Sequence, residues 1–358
     1  MSKSPYILAI DQGTSSTRAA LIDKKGIIID QESIEFKQIY PSSGWVEHDP
    51  LEILQTVKST ISIIFERNHI TQNDIVSCGI TNQRETIVAW DKVTGKPSYN
   101  AIVWQDRRTN EICKNLVNKN YTNLIQEKTG LIIDPYFSAS KIQWLLENIK
   151  DQQNLIVGTI DTWIIWNLTN KAKHVTDITN ASRTMLYNIK DEIWDHELLD
   201  FFNIRKSILP TVLSNKDEYG TIHAEHFGVE IPIGGVVGDQ QSASLGQLCL
   251  KKGMIKATYG TGCFVLINTD KNKITSKNKL LTTVASKIDE KKQYAVEGSI
   301  FNAGTVIQWL RDEMKLFNHV NEIEEIIQDS KNDVIFIPAF TGLGAPYWKS
   351  EVRGSLYG

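Results

Sequence analysis

Two segments far apart in the chain hold the residue types needed to bind a small polyol and accept a proton from it. In Gly238-Asp239-Gln240-Gln241 an Asp follows the apolar pair Val236-Val237 and a Gly, so its carboxylate emerges from a strand into a turn. In Asn82-Gln83-Arg84-Glu85-Thr86 a guanidinium fork sits beside a carboxylate, a donor next to an acceptor. Phosphoryl transfer asks a protein chiefly for positioning and charge stabilisation, plus one group to take the hydroxyl proton. An ionised Asp239 near a positive, metal-bearing cleft suits that last role. The bland readings are an Asx-turn or helix cap at Asp239 and a surface ion pair, worth little, at Arg84 and Glu85. Adjacent strand residues point to opposite faces, so Arg84 and Glu85 can share one ligand only where the chain already turns.

Two Gly/Thr turns have the composition of phosphate cradles: Asp11-Gln12-Gly13-Thr14-Ser15-Ser16-Thr17-Arg18 and Tyr259-Gly260-Thr261-Gly262-Cys263. At the first, Asp11 ends an apolar run, where a carboxylate can meet Mg²⁺ directly or through water. Backbone N–H groups, Thr14, Ser15 and Arg18 can then face phosphate oxygens. No Gly-x-x-x-x-Gly-Lys loop is present, which excludes a Walker-type site. Either turn alone reads as an ordinary hairpin. The pair points to phosphoryl transfer from a nucleotide to an alcohol. Trp104 and Tyr136 read from spacing as core aromatics, although an aromatic face also suits the carbon side of a polyol. His223 and His226 are three apart, but their surroundings read as loop and argue against a metal site.

These groups need rigid elements behind them. Tyr6–Ile10, Arg18–Ile22 and Ile27–Ile29 read as strands joined by the polar turn and by Lys24-Lys25-Gly26. A helix begins at Asp49 as cap, with Pro50 in its first position and Glu52 placed for a capping box. Leu51, Leu54, Val57, Ile61 and Ile64 then recur at helical spacing. Ile75–Ile80 reads as a strand that delivers Arg84 and Glu85 at its carboxyl end, followed by a strand at Thr86–Trp90. Lys141–Ile149 is an amphipathic helix with Ile142, Leu145, Leu146 and Ile149 on one side. Strands interleaved with helices make an α/β architecture. After Gln247 the plan starts again: a Lys251-Lys252-Gly253 hinge, a strand Met254–Thr258, the second Gly/Thr turn and a strand Phe264–Ile267. Two units are expected, residues 1–247 and 248–358, the first carrying the polyol site. The Asn-rich, charged stretch Lys271–Lys279 reads as solvated loop.

Bulk properties set the limits. A chain of 358 residues exceeds one ordinary core. Its 23% charged and 41% hydrophobic residues fit a globular protein. A net charge of −3 without a long basic run argues against nucleic acid or an anionic membrane surface as partner. No apolar run is long enough to span a bilayer. Cys78, Cys113, Cys249 and Cys263 are scattered with no Cys-x-x-Cys pair, so neither a disulfide framework nor a zinc site is indicated. The cytoplasm is the expected compartment.

Several segments together resemble the glycerol kinases, within the carbohydrate kinases that have paired actin-like (ribonuclease H-like) domains. They are Ile10–Arg18, Gly44–Pro50, Gly79–Thr86, Asp134-Pro135-Tyr136-Phe137, Thr176–Leu186, Gly238–Gln241 and Tyr259–Phe264. Asn-Gln-Arg-Glu followed downstream by Asp-Pro-Tyr-Phe separates this group from the xylulose and ribulose kinases. The resemblance implies two such domains around a cleft, the second incomplete. It implies a glycerol site of Arg84, Glu85, Trp104, Tyr136, Asp239, Gln240 and Phe264, with Asp239 as general base. It implies Mg²⁺ at Asp11, and ATP against Thr14, Ser15, Ser16, Arg18, Thr261, Gly304 and Gln308. The product would be sn-glycerol 3-phosphate, and a homo-oligomer is compatible with the resemblance.

Two departures stand against it. The chain stops before the Gly-rich, Asn-containing segment tied to adenosine, which leaves an unfinished sheet with apolar surface uncovered. On that reading it is a fragment of a longer protein, or its nucleotide affinity and stability are impaired. Thr221–Pro232 lacks the Gly-Gly-Lys-Gly-Gly pattern of relatives inhibited by fructose 1,6-bisphosphate, and the spacing around His226 departs from relatives phosphorylated on a histidine. Neither regulation is carried over. The alternatives are a non-catalytic glycerol-binding remnant and a kinase for another polyol or ketose.

Overall fold

The computed structural model describes residues 5–71, 74–260, 262–328 and 333–358. Its first unit opens with a meander, β1 (Tyr6–Gln12), β2 (Ser16–Ile22) and β3 (Ile28–Glu35), in which Gly26 turns the chain at φ +80°. Helix α1 (Pro50–Asn68) starts where the cap chemistry requires: Asp49 Oδ1 accepts from the Leu51 N–H at 2.8 Å. Such a cap contributes about 1 kcal/mol. Glu52 does not complete a capping box. Its carboxylate accepts instead from the Lys37 N–H at 3.0 Å, a partner distant in sequence. The buried face also differs from the expected stripe. Ile53, Val57, Ile61 and Ile64 are buried with Thr56 and Thr60, while Leu51 is 54% exposed and Leu54 half-buried.

The chain continues through β4 (Ile75–Asn82), β5 (Ile87–Asp91), α2 (Ser138–Asn148), β6 (Leu155–Thr159), α3 (Ile160–Leu168), β7 (Thr221–Ile222), β8 (Ile231–Gly238) and α4 (Asp239–Gly246). The main sheet is ordered β7-β8-β4-β1-β2-β3. Strands β8, β4 and β1 are mutually parallel, and their registers pair Gly238 with Asn82 and Asn82 with Gln12. Three carboxyl ends therefore finish side by side, the usual place for ligands in such sheets. One face packs α1 and α3 through Leu8, Ile10, Ile61, Ile80 and Trp163.

The second unit is an antiparallel sheet ordered β9-β10-β12-β11, from β9 (Ile255–Tyr259), β10 (Cys263–Asp270), β11 (Leu281–Ile288) and β12 (Lys291–Ile300). Helix α5 (Gly304–Asp312) follows. The β9–β10 hairpin repeats the strand–turn–strand plan of β1–β2. This gives the expected α/β fold of two actin-like units around a cleft. Apolar packing is continuous between them: Phe264, Leu281, Tyr294 and Phe301 share a cluster with Trp104, Tyr136 and Phe137. Lys271–Lys279 is irregular, as its composition implies, whereas the expected loop at His223–Phe227 is a one-turn helix capped by His223.

Candidate active site

Between the two hairpins lies a cavity of about 620 Å³. Asp11, Thr14, Arg18, Arg84, Glu85, Trp104, Tyr136, Asp239, Gln240 and Phe264 all line it, with Gly13, Gly260 and Gly262. Ser15 and Ser16 belong to the first turn without lining the cavity; Ser15 is exposed and the Ser16 carbonyl accepts from the Gly13 N–H at 2.9 Å. Gly304 is held to the second turn by its N–H donating to the Gly260 carbonyl at 2.8 Å, and Gln308 is exposed one turn along α5. Thr261 lies outside the described residues.

The polyol-type wall is built at the ends of β4 and β8. Glu85 adopts φ +61° and the Thr86 N–H donates to the Arg84 carbonyl at 2.7 Å, the turn that brings two neighbouring side chains to one cavity. Arg84 is buried to 2% exposure, with Nε 3.3 Å from Asp239 Oδ1. Its Nη groups donate to Glu297 at 2.7 and 3.0 Å. A Cβ on Gly238 would lie 2.8 Å from the Arg84 side chain, so glycine there makes room for the guanidinium stem. The Asp239 carboxylate is a third exposed and accepts from the Gln240 N–H at 2.7 Å. Lys256 donates to Gln240 Oε1 at 2.6 Å. Trp104 and Tyr136 are both core aromatics and cavity wall. Trp104 meets Tyr136 and Phe264 edge-on and donates from Nε1 to Thr14 Oγ1 at 2.9 Å.

Charge is distributed unevenly. Burial lifts Asp11 above the ordinary carboxyl range, the Asp239 charge adds to that, and Arg18 opposes it. Two carboxylates thus bear on one another across the cavity. Among the described residues no cluster of three or more metal-type ligands occurs. One carboxylate with room for phosphate oxygens and water is the donor set that suits Mg²⁺, so the residues fit that ion. Burial would also raise Glu297, but Arg183 and Arg84 outweigh it and hold its carboxyl down at about 2.

Reading by motif missed Arg183, Glu297 and Lys141. Lys141 is buried on α2 and donates to the Tyr136 and Phe137 carbonyls at 2.8 and 3.2 Å, which fixes the loop carrying Tyr136. A signal for Glu297 did exist: it is a lone charge after the apolar run Tyr294-Ala295-Val296.

Paired strand–turn–strand units that close on a shared polar cavity define a two-unit protein of the actin-like class. The sequence matches the FGGY family of carbohydrate kinases, N-terminal domain, over residues 6–246, and its C-terminal domain over residues 255–358. The chain belongs to that family. It is 51% identical over 361 residues to the glycerol kinase of Chromobacterium violaceum, covering 99% of this chain and 72% of that one. The structure of Plasmodium falciparum glycerol kinase with ADP superposes with a TM-score of 0.87 at 42% identity, covering 99% of this chain and 73% of the other. Ligand-bound xylulose kinase from Lactobacillus acidophilus gives a TM-score of 0.84 at 25% identity, covering 99% and 72%. Shape alone barely separates the two substrate classes, and sequence identity does so clearly.

Proposed function

We propose that the chain phosphorylates glycerol with ATP, giving sn-glycerol 3-phosphate, with Asp239 as general base. The observation that carries this reading is the 3.3 Å approach of Arg84 Nε to Asp239 Oδ1 in a cavity whose other walls include Gly13, Gly260 and Gly262. A triol placed there meets the Nε edge of Arg84, two acceptors and an aromatic face. Arg84 and Glu85 fix two hydroxyls, Trp104 and Phe264 cover the carbons, and Gln240 steadies the Asp239 carboxylate by donating to it from its backbone N–H and from Nε2. The remaining terminal hydroxyl then faces Asp239, which accepts its proton as the oxygen attacks the γ-phosphorus and the bond to the departing ADP breaks. Thr14, Ser15, Ser16, Arg18, Thr261, Gly304 and Gln308 are assigned to the nucleotide. Asp11 would hold Mg²⁺, whose charge, when bound, offsets that of the phosphates. The units are taken as residues 1–247 and 248–358; α4 ends at Gly246 and the next sheet starts at Ile255.

A cytoplasmic setting suits a reaction that fixes a neutral triol as a charged ester. Among the described residues no helix is long and apolar enough to cross a membrane. The test is ADP release with Mg-ATP and a panel of glycerol, xylulose and ribulose, run beside glycerol calorimetry. Glycerol-dependent turnover is expected. Heat of binding without turnover would make the chain a binding protein, and preference for a ketose would move it to the xylulose kinase side. Light scattering on the same sample reads whether a homo-oligomer forms.

A further inference from the structure

Beneath the polyol wall lies a quartet of charges: Arg84, Glu85, Arg183 and Glu297, each at most 2% exposed at the side chain. Two of them, Arg183 and Glu297, have no part in the reaction described above. Glu297 stands on β12 of the second unit and the other three belong to the first. Its Oε2 accepts from Arg84 Nη1 at 2.7 Å. Its Oε1 accepts from Arg84 Nη2 at 3.0 Å, Arg183 Nη2 at 2.9 Å and Ser299 Oγ at 2.9 Å. Arg183 Nε donates to Glu85 Oε1 at 2.6 Å. Two guanidiniums and two carboxylates cancel, so loss of any one leaves a buried charge without its counterpart.

This geometry dictates how Arg84 presents itself. Its Nη edge is taken by Glu297 and Gln241, so Nε is the edge turned to Asp239. Glu85 is fixed in the same way from its other side, because Arg183 takes Oε1. We propose that Arg183 and Glu297 are positioning residues for polyol binding, and that the polyol wall is complete only when β12 is docked against the first unit. Recognition of the triol is thereby tied to the contact between the two units. The nucleotide turns carry no member of the quartet. The inference rests on the glycerol kinase reading and deepens it.

The test compares KM for glycerol, KM for ATP and kcat in the parent, Glu297→Gln, Arg183→Lys and the double variant Arg183→Gln with Glu297→Gln. Glu297→Gln keeps the shape but turns an amide donor against one of the guanidiniums. It is expected to raise the glycerol KM about tenfold or more and to leave the ATP KM within about twofold. Arg183→Lys keeps the charge but loses the fork, and should raise the glycerol KM at least about threefold. The double variant restores neutrality and should recover roughly threefold of the loss in Glu297→Gln, a coupling that additive damage does not produce. A folded Glu297→Gln with parental glycerol KM overturns the proposal, as does an equal rise in both KM values. Ser299→Ala removes only the hydroxyl that steadies Glu297 Oε1. It is expected to raise the glycerol KM about two- to threefold, and should Glu297→Gln not fold, a parental value here overturns the proposal. If the parent binds glycerol without turnover, calorimetric Kd replaces KM. If it neither binds nor turns over glycerol, the glycerol reading fails first and takes this inference with it.

Discussion

The two walls of the cleft are built on opposite principles. On the polyol side Arg84, Glu85, Trp104 and Tyr136 are buried and hold one another through ion pairs, hydrogen bonds and ring contacts. On the side proposed for the nucleotide Arg18 and Gln308 are exposed and Tyr259 is 85% exposed. A small neutral triol offers little binding energy, so its site has to exist before it arrives. A polyphosphate brings its own charge and can organise mobile groups around itself. Substitutions on the first wall should therefore cost specificity together with packing, and those of exposed side chains on the second should cost nucleotide binding alone.

The largest expected effect is at the point where the walls meet. Asp239→Asn keeps the volume and one of the two bonds accepted from Gln240 but cannot accept the hydroxyl proton. We expect kcat to fall by about 10²–10⁴-fold with an unchanged melting curve, read by ADP release under saturating glycerol. A variant as active as the parent removes Asp239 as the base and leaves the polyol wall without a catalytic purpose.

A pair of glycines breaks the comparison from either side. In Gly238→Ala the new Cβ meets Cγ and Cδ of the buried, ion-paired Arg84 side chain at 2.8 Å. Arg84 has to shift within its buried ion pairs, so the glycerol KM should rise about tenfold and about 1–3 kcal/mol of stability should be lost. In Gly262→Ala the Cβ meets the Ile300 carbonyl oxygen at 2.5 Å, which cannot swing aside. Here about 1–3 kcal/mol of stability should be lost, measured by urea unfolding. A parental glycerol KM and unchanged stability in Gly238→Ala would show that the ion-paired wall, not the hairpin, is the adaptable part.

The first turn has a support that titrates. Gln83 Nε2 donates to Gln12 Oε1 at 3.0 Å and to the Gly13 carbonyl at 2.9 Å, and lies 3.4 Å from His48 Nδ1. Burial lowers His48 to about 3. Its folded value lies below its unfolded one, so its contribution is complete above about pH 6.5 and is lost as pH falls towards 3. Lowering pH from 6.5 to 5 should cost about 2 kcal/mol through this group. Comparing urea unfolding of His48→Gln with the parent at both values checks it: the variant should lose that much less.

How much of this is legible in the sequence depends on whether a residue acts through chain neighbours or through distant ones. The start of α1 is written in Asp49 and Pro50, and the reactive groups of the cavity sit at strand ends that alternation and Gly punctuation reveal. The buried face of α1 is less legible because its apolar residues are numerous enough to draw a helical stripe through Leu51 and Leu54 as easily as through Ile53. Glu52 fits a capping box locally, yet Lys37 supplies its partner. Arg183 and Lys141 look like surface charges in a linear chain, and Glu297 stands out only as a charge that follows an apolar run. Only the docking of β12 and the loop before α2 shows that each is buried against a matching group.

The smallest expected effect tests the open wall alone. Tyr259 ends β9, lines the cavity and is mostly in solvent, so little packing is lost when its ring is removed. Tyr259→Ala should change stability by less than about 0.5 kcal/mol. The glycerol KM should stay at the parental value, because no atom of Tyr259 belongs to the ion-paired wall. If the ring covers part of a bound nucleotide, its loss removes about 1 kcal/mol, a roughly fivefold rise in the ATP KM. Steady-state kinetics at fixed saturating glycerol and then at fixed saturating ATP separates the two constants. A rise in the glycerol KM as large as that for ATP would mean that the walls respond as one body, and the contrast between a prebuilt side and an adaptable side would not stand.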